Sequence, residues 1–184
     1  MHFKFEDLTN SEKARLCDFM LSKRVSAFLG SGVSLDSSGS EPTMASAGQL
    51  RESLVSQNGL PLNASLQQAY SAMTVGQVEH FVTDHYTCTN VGPTIRRLAA
   101  QPWRRVYTLN VDNCFEAAFE ALIKQREFDI NCLEVLNFDD GFSELFSDIR
   151  CSIIHLHGCV TRTKSGYIFR ERLINGFGFA GTAA

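Results

Sequence analysis

Three short apolar runs in this chain each end abruptly in glycine or in polar side chains. A buried strand of a parallel sheet typically appears as such a continuous apolar run. Because the carboxyl ends of parallel strands lie along one edge of the sheet, residues that follow separate runs meet there. The runs are 25–29 before Gly30-Ser31-Gly32-Val33-Ser34, 105–109 before Asn110-Val111-Asp112, and 151–156 before His157-Gly158. The pattern predicts one site built from these three strand ends.

Segments with the helical spacing of apolar residues separate these runs. The predicted helices cover residues 9–23, 45–57, 64–73, 75–87, 93–100, 113–124 and 143–148, and two further predicted strands cover 134–138 and 167–169. This alternation predicts an α/β fold with a mostly parallel sheet flanked by helices. A helical insertion at about 45–100 separates the first two strands, and the glycine-rich tail at 176–184 has little to pack.

Composition limits the class of protein. With 184 residues and 44% hydrophobic residues, the chain is expected to form one domain over 1–184. A net charge of −3 provides no basic field for nucleic acid. The acidic N-terminal segment is unlike a signal peptide, and the sequence has no apolar run of bilayer length, so no membrane association is expected. The six cysteines form no Cys-x-x-Cys pair, which favours free thiols in the cytoplasm over a zinc ribbon.

The glycine-rich segment after the first run lacks β-carbons at the point where a strand turns. Such a turn lets main-chain amides approach a phosphate group. The segment is not the dinucleotide fingerprint, because Leu35 stands where a third glycine would be, and no Gly-Lys-Ser/Thr follows to make a P-loop. A plain tight turn is an equally good interpretation of these residues alone.

The polar residues after the second and third runs suit chemistry at a sugar ring. Asn110 can hold a hydroxyl group or a water molecule, and Asp112 can accept from a ribose hydroxyl or cap the helix that follows. His157 can act as a general base near neutral pH, although a structural histidine is the alternative. His155 makes a His-x-His pair with it, but no carboxylate lies nearby in sequence, so no metal site is predicted. His80 and Asp84 share a helix face, as a surface pair would.

In order along the chain, these segments resemble the sirtuin-like (silent information regulator) superfamily. Residues 28–34 look like its Gly-Ala-Gly-x-Ser loop with Ser31 in the alanine place, 108–112 look like its Thr-x-Asn-x-Asp segment, and 156–158 look like its Leu-His-Gly. The resemblance implies a Rossmann-like fold that binds NAD as substrate and cleaves its nicotinamide–ribose bond. It implies catalytic roles for Asn110, Asp112 and His157. The NAD-binding residues that it implies are Gly30, Ser31, Gly32, Ser34 and Thr108.

Departures from the family narrow what the resemblance implies. The zinc-binding cysteines of its protein deacylases have no match here, so no zinc is expected, and Glu41-Pro42-Thr43-Met44 stands near the place of their Asp-Phe-Arg. Both features are similar to the prokaryotic NAD-hydrolysing effectors of anti-phage defence, which implies a homo-oligomer or a larger defence complex. The alternatives are an NAD-dependent deacylase or ADP-ribosyltransferase, and a non-catalytic nucleotide-binding or assembly module. The short segment after His157 also leaves open whether the domain is complete.

Overall fold

The computed structural model describes residues 5–22, 25–41, 44–125, 132–141 and 150–162. Within them, four strands pair in parallel in the order β1-β2-β4-β3. The strands are Ala27–Leu29 (β1), Arg105–Thr108 (β2), Cys132–Asn137 (β3) and Arg150–His155 (β4). The predicted α/β class is confirmed, since a parallel sheet is flanked by helices in a Rossmann-like arrangement. The predicted helix at 143–148, the predicted strand at 167–169 and the tail at 176–184 lie outside the described residues.

The helices follow local capping signals in the sequence. They are Asn10–Leu21 (α1), Ala47–Gln57 (α2), Leu66–Ser71 (α3), Val75–Tyr86 (α4), Pro93–Ala99 (α5) and Cys114–Lys124 (α6). Helices α1 to α4 each begin with a capping box, in which a Ser or Thr side chain and a Glu or Gln three residues later bond each other's main-chain N–H. Helices α2 and α3 begin two residues later than predicted because Ser46 and Ser65 are their caps.

The helices between β1 and β2 share one core with the sheet. Val106 of β2 and Ile153 of β4 are fully buried and lie side by side in the parallel register. Leu54 of α2, Val82 of α4 and Ile95 of α5 are almost completely buried in the same cluster. Burial of this apolar surface is the main favourable term that holds the helical insertion on the sheet.

Helix α1 differs from this pattern. Its predicted apolar face includes Leu16 and Phe19, yet these side chains are 40% and 42% exposed, and no residue of α1 is buried. The helix itself is confirmed by its capping box at Thr9. Among the described residues, no helix is both long enough and apolar enough to cross a lipid bilayer.

The ends of the four strands lie in one row, which positions the candidate site. Leu29 is in register with Thr108, Thr108 with His155, and His155 with Asn137. The hydrogen bonding continues beyond the strands, because the N–H of Leu156 donates to the carbonyl of Thr108 at 2.9 Å. The glycine-rich turn, the Asn/Asp segment and the His-Gly segment therefore leave the sheet at the same edge.

Candidate functional site

A cavity of about 430 Å³ opens at this edge of the sheet. Its volume is within the range of roughly 300–1,000 Å³ that is typical of small-molecule sites. Most of the predicted site residues line it, namely Gly30, Ser31, Ser34, Asn110, Asp112 and His157. Gly32 and Thr108 are not among the lining residues. Tyr86, Met44 and Leu50 also form part of its wall, although no sequence motif had assigned them to the site.

Gly30 leaves open space in the cavity wall. Its backbone is extended (φ −118°, ψ 175°), so any residue could adopt its conformation. A β-carbon built on Gly30 would meet no atom within 4 Å. By contrast, a β-carbon on Gly92 would lie 2.5 Å from the main-chain oxygen of Asp36. The structure therefore explains Gly92 by packing, whereas neither backbone geometry nor packing within the described protein requires glycine at position 30.

A hydrogen-bonded chain joins the glycine-rich turn to the end of β2. The amide Nδ2 of Asn110 donates to the hydroxyl of Ser34 at 3.0 Å, and that hydroxyl donates to Oδ1 of Asp112 at 3.2 Å. The same Oδ1 accepts the main-chain N–H of Cys114 at 3.0 Å. Asp112 thus contacts the first residue of α6, although the N-cap of that helix is Asn113 and not Asp112, the residue that the capping alternative named. This contact leaves a role toward a ligand open, because the carboxyl group also lines the cavity.

The direction of each of these hydrogen bonds follows from which groups can donate and which can only accept. A carboxylate only accepts, so the single hydroxyl proton of Ser34 points to Asp112. The Ser34 oxygen can then only accept from Asn110, which fixes Nδ2 on that side of the amide. The other amide atom, Oδ1 of Asn110, is buried and has no hydrogen-bond partner in the described structure. A buried acceptor without a donor is costly, and a ligand that supplies one would relieve that cost.

The main chain of Asn110 is held as well as its side chain. Its N–H donates to Oγ1 of Thr108 at 3.0 Å, and its carbonyl oxygen lies 2.9 Å from Nδ1 of His155. Thr108 is buried, so its hydroxyl supports Asn110 from below the cavity. Thr108, which was predicted to bind NAD, therefore contacts Asn110 and does not itself line the cavity.

Burial shifts the proton affinities of the titratable groups in the wall. Burial lowers the pKa of His157, although a hydrogen bond to the main chain of Leu109 opposes that effect. Burial raises the pKa of Asp112, against the bonds from Cys114 and Ser34. Burial, together with the negative charge of Asp112, raises the pKa of Tyr86, so its phenol stays neutral. A neutral imidazole at His157 is the form that can accept a proton.

The two histidines of the His-x-His pair occupy different environments. His157 lines the cavity, whereas His155 is fully buried below it. The Nε2 of His155 lies 2.8 Å from Oε1 of Glu116, and the thiol of Cys159 donates to the same oxygen at 3.4 Å. Sequence reasoning missed Glu116, because an acidic residue in the first turn of a helix is ordinary and gives no sign of its distant partner. On the other helix considered, His80 and Asp84 form an exposed surface pair.

Glu116, His155 and Cys159 present one donor atom each within 4.8 Å of one another, and these are ligand types that zinc accepts. Two ligands on a tetrahedral zinc ion would be about 3.3 Å apart, given metal–ligand bonds of about 2.0 Å. The observed 2.8 Å between Nε2 and Oε1 is instead the length of a charge-assisted hydrogen bond. The contact is therefore that of an imidazole–carboxylate pair with a proton between its atoms.

No protein-family model matches this chain, and no curated protein matches it significantly in sequence. The chemistry open to the cavity is therefore inferred from its own side chains. The lining residues include Asn110, whose amide oxygen is buried and unpartnered, together with a carboxyl group, a half-buried imidazole and a glycine. These groups suit a ligand with hydroxyl donors, and His157 could accept a proton from it or from water.

Proposed function

We propose that this chain is an NAD glycohydrolase, which cleaves the nicotinamide–ribose bond of NAD to nicotinamide and ADP-ribose. The observation that carries the proposal is the buried, unpartnered Oδ1 of Asn110, a residue that lines the cavity. A ribose hydroxyl group or the attacking water molecule would supply the donor that this oxygen lacks. The order of the motifs, which resembles that of the sirtuin-like superfamily, supports the same choice of substrate.

The reaction needs negative or neutral oxygen atoms near the ribose. As the glycosidic bond breaks, its electron pair moves to the nicotinamide nitrogen and positive charge develops on the ribose. The oxygens of Asn110 and Asp112 stabilise that charge more strongly in the transition state than in bound NAD, and only such a difference accelerates the reaction. Water adds to the ribose carbon that lost nicotinamide, and His157 takes the proton that the water releases.

The glycine-rich turn would receive the phosphate groups. Gly30 and Ser31 line the cavity, and the open space at Gly30 permits close approach of a ligand. The lining residues that the structure describes include no Lys or Arg. Main-chain amides and the hydroxyl of Ser31 would therefore hold the pyrophosphate, as backbone turns do in other phosphate sites.

We also propose a biological setting for this activity, which is antiviral defence in prokaryotes. The absence of a match to the family's zinc cysteines is what connects the chain with NAD-depleting effectors of prokaryotic antiviral defence. Such an effector would work in the cytoplasm as a homo-oligomer or within a larger complex. The proposal for catalysis does not depend on that setting, and it can be tested on the chain alone.

The test is nicotinamide release from NAD by the purified protein, measured by chromatography. We expect His157→Ala to lower the rate about a hundredfold or more, the usual effect of losing a general base, and Asn110→Ala to lower it strongly as well. His80→Ala and Asn63→Ala are matched controls, since both residues are exposed. Folded wild-type protein that binds NAD without releasing nicotinamide would refute hydrolysis and favour a binding module. Release that requires an acylated peptide would favour a deacylase.

A further inference from the structure

A buried ion pair lies directly below the candidate site and joins three elements of the fold. His155 is the last residue of β4, Glu116 lies in the first turn of α6, and Asn110 follows β2. The side chains of His155 and Glu116 are 1% and 8% exposed. Among the described residues, the polar groups that face this imidazole are the Glu116 carboxylate, the Asn110 carbonyl and the thiol of Cys159.

The partners of His155 determine its protonation. Its Nδ1 lies 2.9 Å from a carbonyl oxygen and its Nε2 lies 2.8 Å from a carboxylate oxygen. A carbonyl oxygen cannot donate, and neither can an ionised carboxylate, so with Glu116 ionised both ring nitrogens carry protons and the ring is an imidazolium. Burial alone would lower the pKa of His155, but the hydrogen bonds to Cys159 and Glu116 and the charge of Glu116 raise it to about 10. The pair is therefore ionic at neutral pH and adds no net charge below the cavity.

The ion pair completes the set of contacts that hold Asn110. Thr108 fixes the main-chain N–H of Asn110, Ser34 fixes its amide nitrogen, and His155 fixes its carbonyl oxygen. Of these three contacts, the one from His155 is the only one made by a charged donor, and charge-assisted hydrogen bonds are roughly twice as strong as neutral ones. Glu116 in turn holds the imidazolium in place, and it belongs to α6, the helix whose first residue donates its N–H to Asp112.

We propose that His155 and Glu116 are positioning residues for Asn110. The imidazolium holds the Asn110 carbonyl in a clamp, so that the Asn110 amide keeps its orientation beside the cavity while charge develops on the ribose. This inference rests on the proposed function for its effect on catalysis, but the clamp itself is a property of the protein without ligand. A loss of precision of about 1 Å at such a group is enough to lower a rate by about a hundredfold.

Two double variants separate the loss of the hydrogen bond to the Asn110 carbonyl from a general loss of stability. Glu116→Gln/His155→Asn places an amide nitrogen near the position of Nδ1, where it can still donate to the Asn110 carbonyl. Glu116→Gln/His155→Gln places the amide near the position of Nε2, where it meets residue 116 and leaves the Asn110 carbonyl without its donor. Both variants remove the same buried charges, so their melting temperatures should fall by similar amounts.

We expect the double variant with His155→Asn, which keeps a neutral donor for the Asn110 carbonyl, to have a kcat about tenfold or more above that of the one with His155→Gln. Equal kcat values in the two folded variants would overturn the proposal. If the wild type releases no nicotinamide, the proposed function fails, and the clamp is then judged by ¹⁵N NMR of the imidazole ring. The clamp predicts protons on both ring nitrogens of His155 at pH 8, and a neutral ring would refute it.

Metal content gives an independent test of the ion pair. Protein purified without chelators is expected to contain no stoichiometric zinc on this cluster, because a proton lies between Nε2 and Oε1. One zinc ion per chain that is lost in Cys159→Ala would overturn the ion-pair assignment and make Glu116, His155 and Cys159 metal ligands.

Discussion

The hydroxyl of Ser34 lies 3.0 Å from Nδ2 of Asn110, although 76 positions separate the two residues in the chain. One bond thus connects the glycine-rich turn after β1 with the polar segment after β2. It sets the direction of the Asn110 amide and leaves Oδ1 as a buried acceptor with no partner in the described structure. The candidate site depends on this contact more than on any single motif.

Replacement of Ser34 tests that contact. We expect Ser34→Ala to lower nicotinamide release about tenfold or more, because the Asn110 amide loses the partner that orients it. The free energy of unfolding should fall by about 1–3 kcal/mol, the cost of leaving buried partners unsatisfied. Ser37→Ala is the matched control, since Ser37 is also fully buried and accepts the main-chain N–H of Gly92 at 3.0 Å. Equal effects of both variants on activity would contradict the role of Ser34.

Gly30 and Gly92 differ in the space that a β-carbon would find, and this difference gives a second test. Gly30→Ala should leave the melting temperature unchanged, because its β-carbon enters open space, and should weaken NAD binding because that space belongs to the cavity. Gly92→Ala should lower the free energy of unfolding by about 1–3 kcal/mol through overpacking against Asp36. Calorimetric binding of NAD and thermal unfolding measure the two effects. NAD affinity unchanged by Gly30→Ala would show that no ligand occupies the space at the turn.

On the acid side (the acid limb) of the pH profile, kcat/KM should fall only below pH 6.5. Burial lowers the pKa of His157 from its ordinary value, so the imidazole stays neutral, and able to accept a proton, until the pH falls below that value. A profile of kcat/KM against pH measures the limb. Burial raises the pKa of Asp112, so that carboxyl group could produce a limb as well. A limb that persists in Asp112→Asn belongs to His157, and a midpoint above pH 6.5 would contradict the prediction.

Stability should decrease as the pH rises from neutral to alkaline. The pKa of His155 is about 10 in the folded chain, against an ordinary value of 6.5. A raised pKa stabilises the fold fully below pH 6.5, and the contribution disappears as the pH approaches 10. Denaturant unfolding between pH 6 and 10 should therefore show a decline that is shallower in Glu116→Gln. Parallel curves for the two proteins would show that Glu116 does not set the charge of His155.

Local patterns in the sequence were enough to predict the helices, the strands and the polar residues that end the strands. Capping boxes such as Thr9 with Glu12 act over three residues, and apolar runs such as 105–109 mark buried strands wherever they lie in the fold. The α/β class followed from the alternation of these elements and is confirmed. The roles of Asn110, Asp112 and His157 toward NAD remain predictions, although the structure places all three on one cavity.

Contacts between groups that are far apart in the chain follow from the tertiary fold alone. Strand β4 lies between β2 and β3, an order that depends on how whole elements pack and that no local pattern encodes. That order brings His155 to the carbonyl of Asn110 and to Glu116, which is 39 positions away. The sequence showed a histidine pair without a carboxylate, whereas packing provided the carboxylate from helix α6. Local hydrogen bonds are set by neighbours in the chain, but a buried charge finds its partner only when the sheet and its helices assemble.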